Sequence, residues 1–208
     1  MLSRGFTLLE VLVTLVILLF GLLGIAGLMA KGQRASYEAF QRQEALALAN
    51  DMAERIRDNS SGAITYIAGA SVNNPLGPGA IDYTQYLNGA ITDCALNACS
   101  PANLVTYDLA LWDGLLNGFT ESQVVGGNRI GGIIDARGCI ENTGSTQAAC
   151  PVPGNGVATY TQSIRISVAW QGHDDTVPPT TSTCGTGQYG AETKRRLVSL
   201  DLMVLQPC

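Results

Sequence analysis

The chain has one histidine, His173, no cysteine before Cys94 and no proline before Pro75. Between Val11 and Ala30 it has no charged residue. Each of these gaps excludes something. Histidine chemistry is confined to the run His173-Asp174-Asp175, which has the groups for cation binding or acid–base work. No serine or free cysteine is implicated beside that run, and it falls in a loop between strands, so the reading favours a solvated loop. No catalytic residue, metal site or cofactor is assigned. There is no P-loop, so any nucleotide-driven step belongs to other proteins. With 12 basic against 17 acidic residues the chain does not have the make-up of a basic nucleic-acid binder, and no nucleic acid partner is expected; with 46% apolar residues it is not a disordered polypeptide either. No internal repeat is found.

What is present begins with the apolar run Gly5-Phe6-Thr7-Leu8-Leu9-Glu10-Val11 through Ala30, in which Glu10 is the only charge. About 20 uncharged residues at about 1.5 Å each give roughly 30 Å of helix, enough to cross a bilayer core. The flanks do not fit a secretory signal, which has a longer basic region before a shorter apolar core and a small-residue cleavage site after it. Thr7 and Glu10 also have the spacing of a capping box, Thr-x-x-Glu, which explains Glu10 locally but leaves Gly5-Phe6 unexplained.

The motif G-F-T-L-L-E followed by V-L-V-T-L-V-I-L-L resembles the leader junction of type IV prepilins and of type II secretion pseudopilins. That resemblance implies that a prepilin peptidase cuts on the cytoplasmic side, between Gly5 and Phe6, and that the new amine of Phe6 is methylated. It also implies that Glu10 pairs with the amine of Phe6 across subunits during assembly.

Without proline, the helix can continue from the apolar run to about Asn59, roughly 80 Å in all. Its second half is amphipathic, with Tyr37, Phe40, Ala45, Leu48, Met52 and Ile56 near one face. Glu38 with Arg42, and Asp51 with Arg55, are favourable pairs at i,i+4. Gly21, Gly24, Gly27 and Gly32 weaken the helix locally, by about 1 kcal/mol each relative to Ala; with no proline in the apolar run, any unwinding on assembly would have to use the glycines, and close helix packing in the membrane is the other use for Gly21, Gly24 and Gly27. The stretch from Ser60 to Cys99 is dense in turn signals and reads mainly as loop. Ser100-Pro101 then opens a short helix that runs to about Leu116, with Asn117-Gly118 as its stop. Alternation predicts strands over Ile133 to Glu141, Thr159 to Gln171 and Leu197 to Leu205. The segments Leu104 to Trp112, Ala136 to Glu141, Ile166 to Gly172 and Arg195 to Leu200 are similar to stretches of PilV-type minor pilins. The expected fold is α+β, the type IV pilin fold, in which a long N-terminal helix packs on a C-terminal antiparallel sheet. The chain divides into a leader (1–5), a membrane and assembly helix (6–30), its amphipathic continuation (31–59) and an extracytoplasmic head (60–208).

All six cysteines lie between Cys94 and Cys208, and their spacings are not those of zinc-binding C-x2-C knuckles. Disulfides in an oxidising compartment are the natural reading, which places the head outside the cytoplasm and Met1 to Gly5 inside. Strand placement and chain economy favour Cys94 with Cys99, Cys139 with Cys150 and Cys184 with Cys208. Lys194-Arg195-Arg196 offers a contact for phosphates or for an acidic neighbouring subunit, though three charges at a strand entrance are more often solvated. The resemblance implies a minor pilin that packs rather than catalyses, primes pilus assembly and supports twitching motility and attachment. Its partners would be the prepilin peptidase, other minor pilins, the major pilin and the inner-membrane assembly platform. It would reside in the inner membrane before assembly and in the pilus at the cell surface afterwards. A minor pseudopilin of type II secretion, and a tip adhesin or DNA-uptake pilin, are the other readings that this sequence leaves open.

Overall fold

The computed structural model describes residues 7–78, 80, 82–119, 123–125, 128–130, 132–146 and 159–207. One helix, α1, runs unbroken over Leu8–Asp58. Residues up to Phe40 form one unit and residues from Gln41 onward form a second, the head. In the head, α1 buries Gln41, Ala45, Ala49, Met52, Ala53 and Ile56. Tyr37 and Phe40, placed on the same stripe by their spacing, are 48% and 57% exposed, so the buried stripe starts later than the spacing suggests. Alanines dominate it because their short side chains bring the helix close to what it packs on.

The stretch expected to be mainly loop holds a 3-10 turn at Ser60–Gly62 and two helices, α2 (Ala63–Gly69) and α3 (Asp82–Leu87). Helix α4 (Pro101–Leu116) has the expected ends. The Ser100 hydroxyl accepts from the Asn103 amide at 3.3 Å, and Pro101 occupies the first turn, where its missing N–H is not needed. A two-stranded ribbon, β1 (Gln123–Val125) with β2 (Asn128–Ile130), precedes the main sheet. That sheet is antiparallel in the order β3-β4-β5, from β3 (Arg137–Thr146), β4 (Thr159–Gln171) and β5 (Arg195–Pro207). The first of these strands starts at Arg137 rather than at Ile133, because Asp135 sits at φ 51° and turns the chain there. An aspartate tolerates that left-handed conformation better than the apolar residues before it would.

Inward-facing Ile140, Ile164, Ile166, Val168, Val198 and Leu202 form one core with α1 and α4. Trp112 is fully buried in it and donates its indole N–H to the Leu48 carbonyl at 3.0 Å. A side chain at Gly138 would collide with that indole, its Cβ falling 2.5 Å from Trp112 Cη2, so the glycine in β3 lets the ring lie on the sheet. On α4, buried Asp113 accepts from the amides of Gly77 (2.8 Å) and Tyr83 (3.0 Å) and from the Asn117 side chain (3.0 Å), fixing the loop ahead of α3.

The outer face of the sheet carries a second, smaller core of Cys139, Ala169, Cys184 and Tyr189 beneath the β4–β5 loop. Arg195 organises that loop. Its guanidinium donates to the carbonyls of Ser182 (3.0 Å), Cys184 (3.2 Å) and Pro179 (2.9 Å) and to the Glu192 carboxylate (2.7 Å). Glu192 also accepts from the Gly187 amide, and that hydrogen bond followed by the one from Arg195 holds its carboxyl below the usual glutamate range. Further along, Arg165 in β4 forks onto Asp201 directly across the strand pair, Nε to Oδ1 at 2.7 Å and Nη2 to Oδ2 at 2.9 Å. The hydrogen bonds from Arg165 hold the Asp201 carboxyl down.

Of the expected disulfides, Cys94 is bonded to Cys99, but Cys139 is bonded to Cys184. The pairs Cys139 with Cys150 and Cys184 with Cys208 are therefore corrected. The β4–β5 loop folds back over the outer face instead of following the last strand, and it lays Cys184 on β3. Cys150 and Cys208 lie outside the described residues.

Asp113→Ala would strip the partner from three donors at once. A loss of about 3 kcal/mol is expected, since each buried donor left without an acceptor costs about 1 to 3 kcal/mol and solvent reaches some of them. Urea unfolding of the full chain in detergent, followed by tryptophan fluorescence, measures it.

Candidate assembly surface

From Leu8 to Met29, α1 leaves its large apolar side chains exposed, Leu8 at 90% and Phe20 at 72% among them. It is long and apolar enough to cross a membrane. At its start the Thr7 hydroxyl accepts from the Glu10 amide at 3.3 Å, and the Thr7 carbonyl accepts from the same amide at 3.0 Å. Thr7 therefore caps the helix, the half of the capping box in which the first residue receives an orphan N–H. Glu10 itself is exposed in the first turn. The leader junction, Gly5 and Phe6, lies outside the described residues.

A methyl group added at Gly21, Gly24, Gly27 or Gly32 would meet nothing within 4 Å. No packing among the described residues asks for these glycines. Their cost to the helix is thus offset by nothing within those residues.

Of the two charged groups that the sequence singles out in the head, one differs from its reading and the other, His173-Asp174, lies exposed as expected. Lys194-Arg195-Arg196 is not a solvated triplet. Lys194 donates to the His173 carbonyl at 2.7 Å, Arg196 donates to the Asp174 carbonyl (2.6 Å) and the Thr176 hydroxyl (2.7 Å), and Arg195 is buried as described. These cations hold the loop they follow. His173 and Asp174 face each other at 3.1 Å and are both well exposed, and no group of three or more metal-binding side chains occurs among the described residues.

Sequence reasoning missed the ion cluster between α1 and α4. Asp51 and Arg55 pair at 2.9 Å as their spacing predicts, but Arg55 also donates to Asp108 at 2.8 Å. The second oxygen of Asp108 accepts from the Tyr66 hydroxyl, and Asp108 is 4% exposed. Burial, followed by the hydrogen bond to Asp108, pushes the Tyr66 phenol far up, so it stays protonated and donating. The one signal available was a charged residue, Asp108, on the apolar side of a predicted helix, which calls for a buried partner.

The surface is thus an exposed apolar helix with an acidic first turn, joined to a head whose charged groups are largely spent on its own architecture. The prokaryotic N-terminal methylation motif matches residues 1–26, and the family of type IV pilin Tt1218 matches residues 28–110, the remainder of α1 through most of α4. No curated protein and no solved structure matches the chain. The motif implies processing by a prepilin peptidase and assembly with other pilins, and the family is structural rather than enzymatic. Two adjacent matches, an apolar amino-terminal helix and a three-stranded antiparallel sheet with two disulfides make this chain a type IV pilin carrying a prepilin leader.

Proposed function

We propose that this pilin is a minor subunit of the type IV pilus, cut after Gly5 and methylated at Phe6, which helps to prime fibre assembly and so supports twitching motility and attachment. It acts by packing. The observation that carries the reading is a methylation motif running directly into an apolar helix whose glycines have no use among the described residues. The helix over residues 6–30 stays in the inner membrane until assembly, and the head stands in the periplasm and then in the fibre. A head of about 150 residues with six cysteines favours the pilus over the short piston of type II secretion. Deleting the gene should abolish surface pili and twitching while leaving exoprotein secretion intact; lost secretion with normal pili would select the pseudopilin instead.

Glu10 is the assembly residue. A carboxylate at the centre of a membrane helix costs about 2.5 to 3.5 kcal/mol on insertion scales, and less near an interface, so its retention asks for a partner. Cleavage supplies one in the amine of Phe6, and methylation keeps that charge. Glu10→Ala is expected to insert and to be cut, giving a mature mass that begins at methylated Phe6, but to co-purify poorly with the other minor pilins. Wild-type yield of the complex from that variant would leave Glu10 without this role.

The remaining cysteines, Cys150 and Cys208, are proposed to bond to each other. Six cysteines less the four already bonded leaves only this pair. The last residue of β3, Thr146, is aligned with Thr161 of β4, and Pro207 of β5 with Thr159, so the two strands that flank β4 leave the sheet at the same end. Peptide mapping without reduction should recover Cys94–Cys99, Cys139–Cys184 and Cys150–Cys208. A Cys150 or Cys208 thiol open to alkylation in the folded protein would count against the third bond.

A further inference from the structure

One face of the head has a composition that neither the membrane helix nor the disulfide loop explains. Where α3 lies on α4, four aromatic rings stand in a row. Phe119 is 4.3 Å from Tyr83 between ring centroids, Tyr83 is 6.0 Å from Tyr86, and Tyr86 meets Tyr107 edge-on at 5.7 Å. All four rings are half-buried. The row is held rigidly. The Tyr83 amide is bound by Asp113, and its ring lies over Gly114, where a Cβ would come within 2.4 Å of the ring.

At the far end Tyr107 faces Asp93, whose charge, after the effect of burial, pushes its phenol up. Asp93 also builds the neighbouring turn. Its carboxylate accepts from the Ala95 amide at 2.9 Å, and its carbonyl accepts from the Asn97 amide at 3.1 Å and from the Asn97 side chain at 2.9 Å. The Cys94–Cys99 bond closes this turn. On it stands Leu96, 84% exposed, while Leu87 at the end of α3 is 61% exposed. A leucine displayed on a cross-linked turn loses little freedom when it is covered, and that makes it a good anchor for a partner.

Charge narrows the choice of partner. From Asp58 to Asn128 the sequence contains no lysine, arginine or histidine, yet it includes Asp58, Asp82, Asp93, Asp108, Asp113 and Glu121. Clustered tyrosines with little charge among them are the make-up of the middle of a protein–protein interface. The complement of such a face is an arginine or lysine, which stacks on tyrosine rings and meets Asp93. A second copy fits poorly. It would have to present Arg129 or an exposed cation of α1 such as Arg42, because in its sheet and in the loop before β5 Arg137, Arg165, Lys194, Arg195 and Arg196 are already engaged. Exposed leucines beside the rings favour a protein over a polysaccharide.

We propose that the row Phe119, Tyr83, Tyr86 and Tyr107, with Leu96 at its end, seats the head of a different pilin subunit that presents an arginine or lysine on an apolar surface. This rests on the packing reading above. The test places a photoreactive benzoylphenylalanine at Leu96 of the full chain in its own cells and identifies the adduct by mass spectrometry. A cross-link to another protein with a prepilin leader, at a peptide carrying arginine or lysine, is expected. Leu96→Arg should lower the amount of this chain in sheared fibres at least ten-fold, and more than Leu96→Asp does, because only the former repels a cationic partner. Neither variant should alter processing at Gly5 or the melting temperature of the purified chain. An adduct confined to a second copy or to polysaccharide, undiminished incorporation of Leu96→Arg, or a larger loss with Leu96→Asp would overturn the proposal. If the wild-type chain is itself absent from fibres and keeps its leader, the packing reading has failed, and this proposal with it.

Discussion

The buried carboxylate of Asp108 ties the head together where α4 meets the later part of α1. Each of its oxygens has one committed donor, Arg55 on α1 and Tyr66 on α2, so three helices share a single charge. In surroundings this dry, an unpaired carboxylate would be costly, and no two of the three elements can separate without leaving one. One turn further along α4, Trp112 reaches the Leu48 carbonyl and presses onto Gly138, which brings the sheet to the same helix. Asp113 beside it gathers the loop before α3. Three consecutive functions therefore fall within six residues of α4, and the segments on both sides take their positions from it.

The long helix and two of the three sheet strands were legible because their signals are local. An apolar run without proline and a strict alternation such as Ile164, Ile166, Val168 require no knowledge of the rest of the chain. The ends of α4 were legible for the same reason, since Ser100-Pro101 and Asn117-Gly118 encode caps. Helices α2 and α3 were not, because both are short and lie among glycines and asparagines that read as turns; contact with α4 sustains them, not propensity. The start of β3 was displaced by one backbone feature, the left-handed Asp135, which hydrophobic alternation does not register. The assembly end was read from Gly5, Phe6, Thr7 and Glu10, and the capping by Thr7 agrees with the structure. The ion cluster was only half visible, since i,i+4 spacing gives Asp51 with Arg55 but cannot give Asp108, 53 residues further on.

The two units put different demands on α1. Up to Phe40 the helix keeps its large apolar side chains exposed. From Gln41 it buries small residues, a face that only a close neighbour can use. Assembly with other pilins, which the methylation motif implies, is served by both properties in one continuous element: the exposed face is open to a neighbour while the buried face holds the head. Spending the head's arginines on its own loops and strands suits assembly too, since a structure fixed from within does not rearrange when neighbours arrive.

The bond from Cys139 to Cys184 passes over Cys150 in the sequence. A polypeptide that emerges into an oxidising compartment amino end first presents Cys139 and Cys150 together before Cys184 has arrived. Oxidation in that order would join a pair other than the native one, and reaching the native bond would then take an exchange in which the Cys184 thiolate attacks the first disulfide at Cys139 and releases the Cys150 thiolate. The native pairing of this head is thus set by where the strands bring the thiols together and not by their order along the chain.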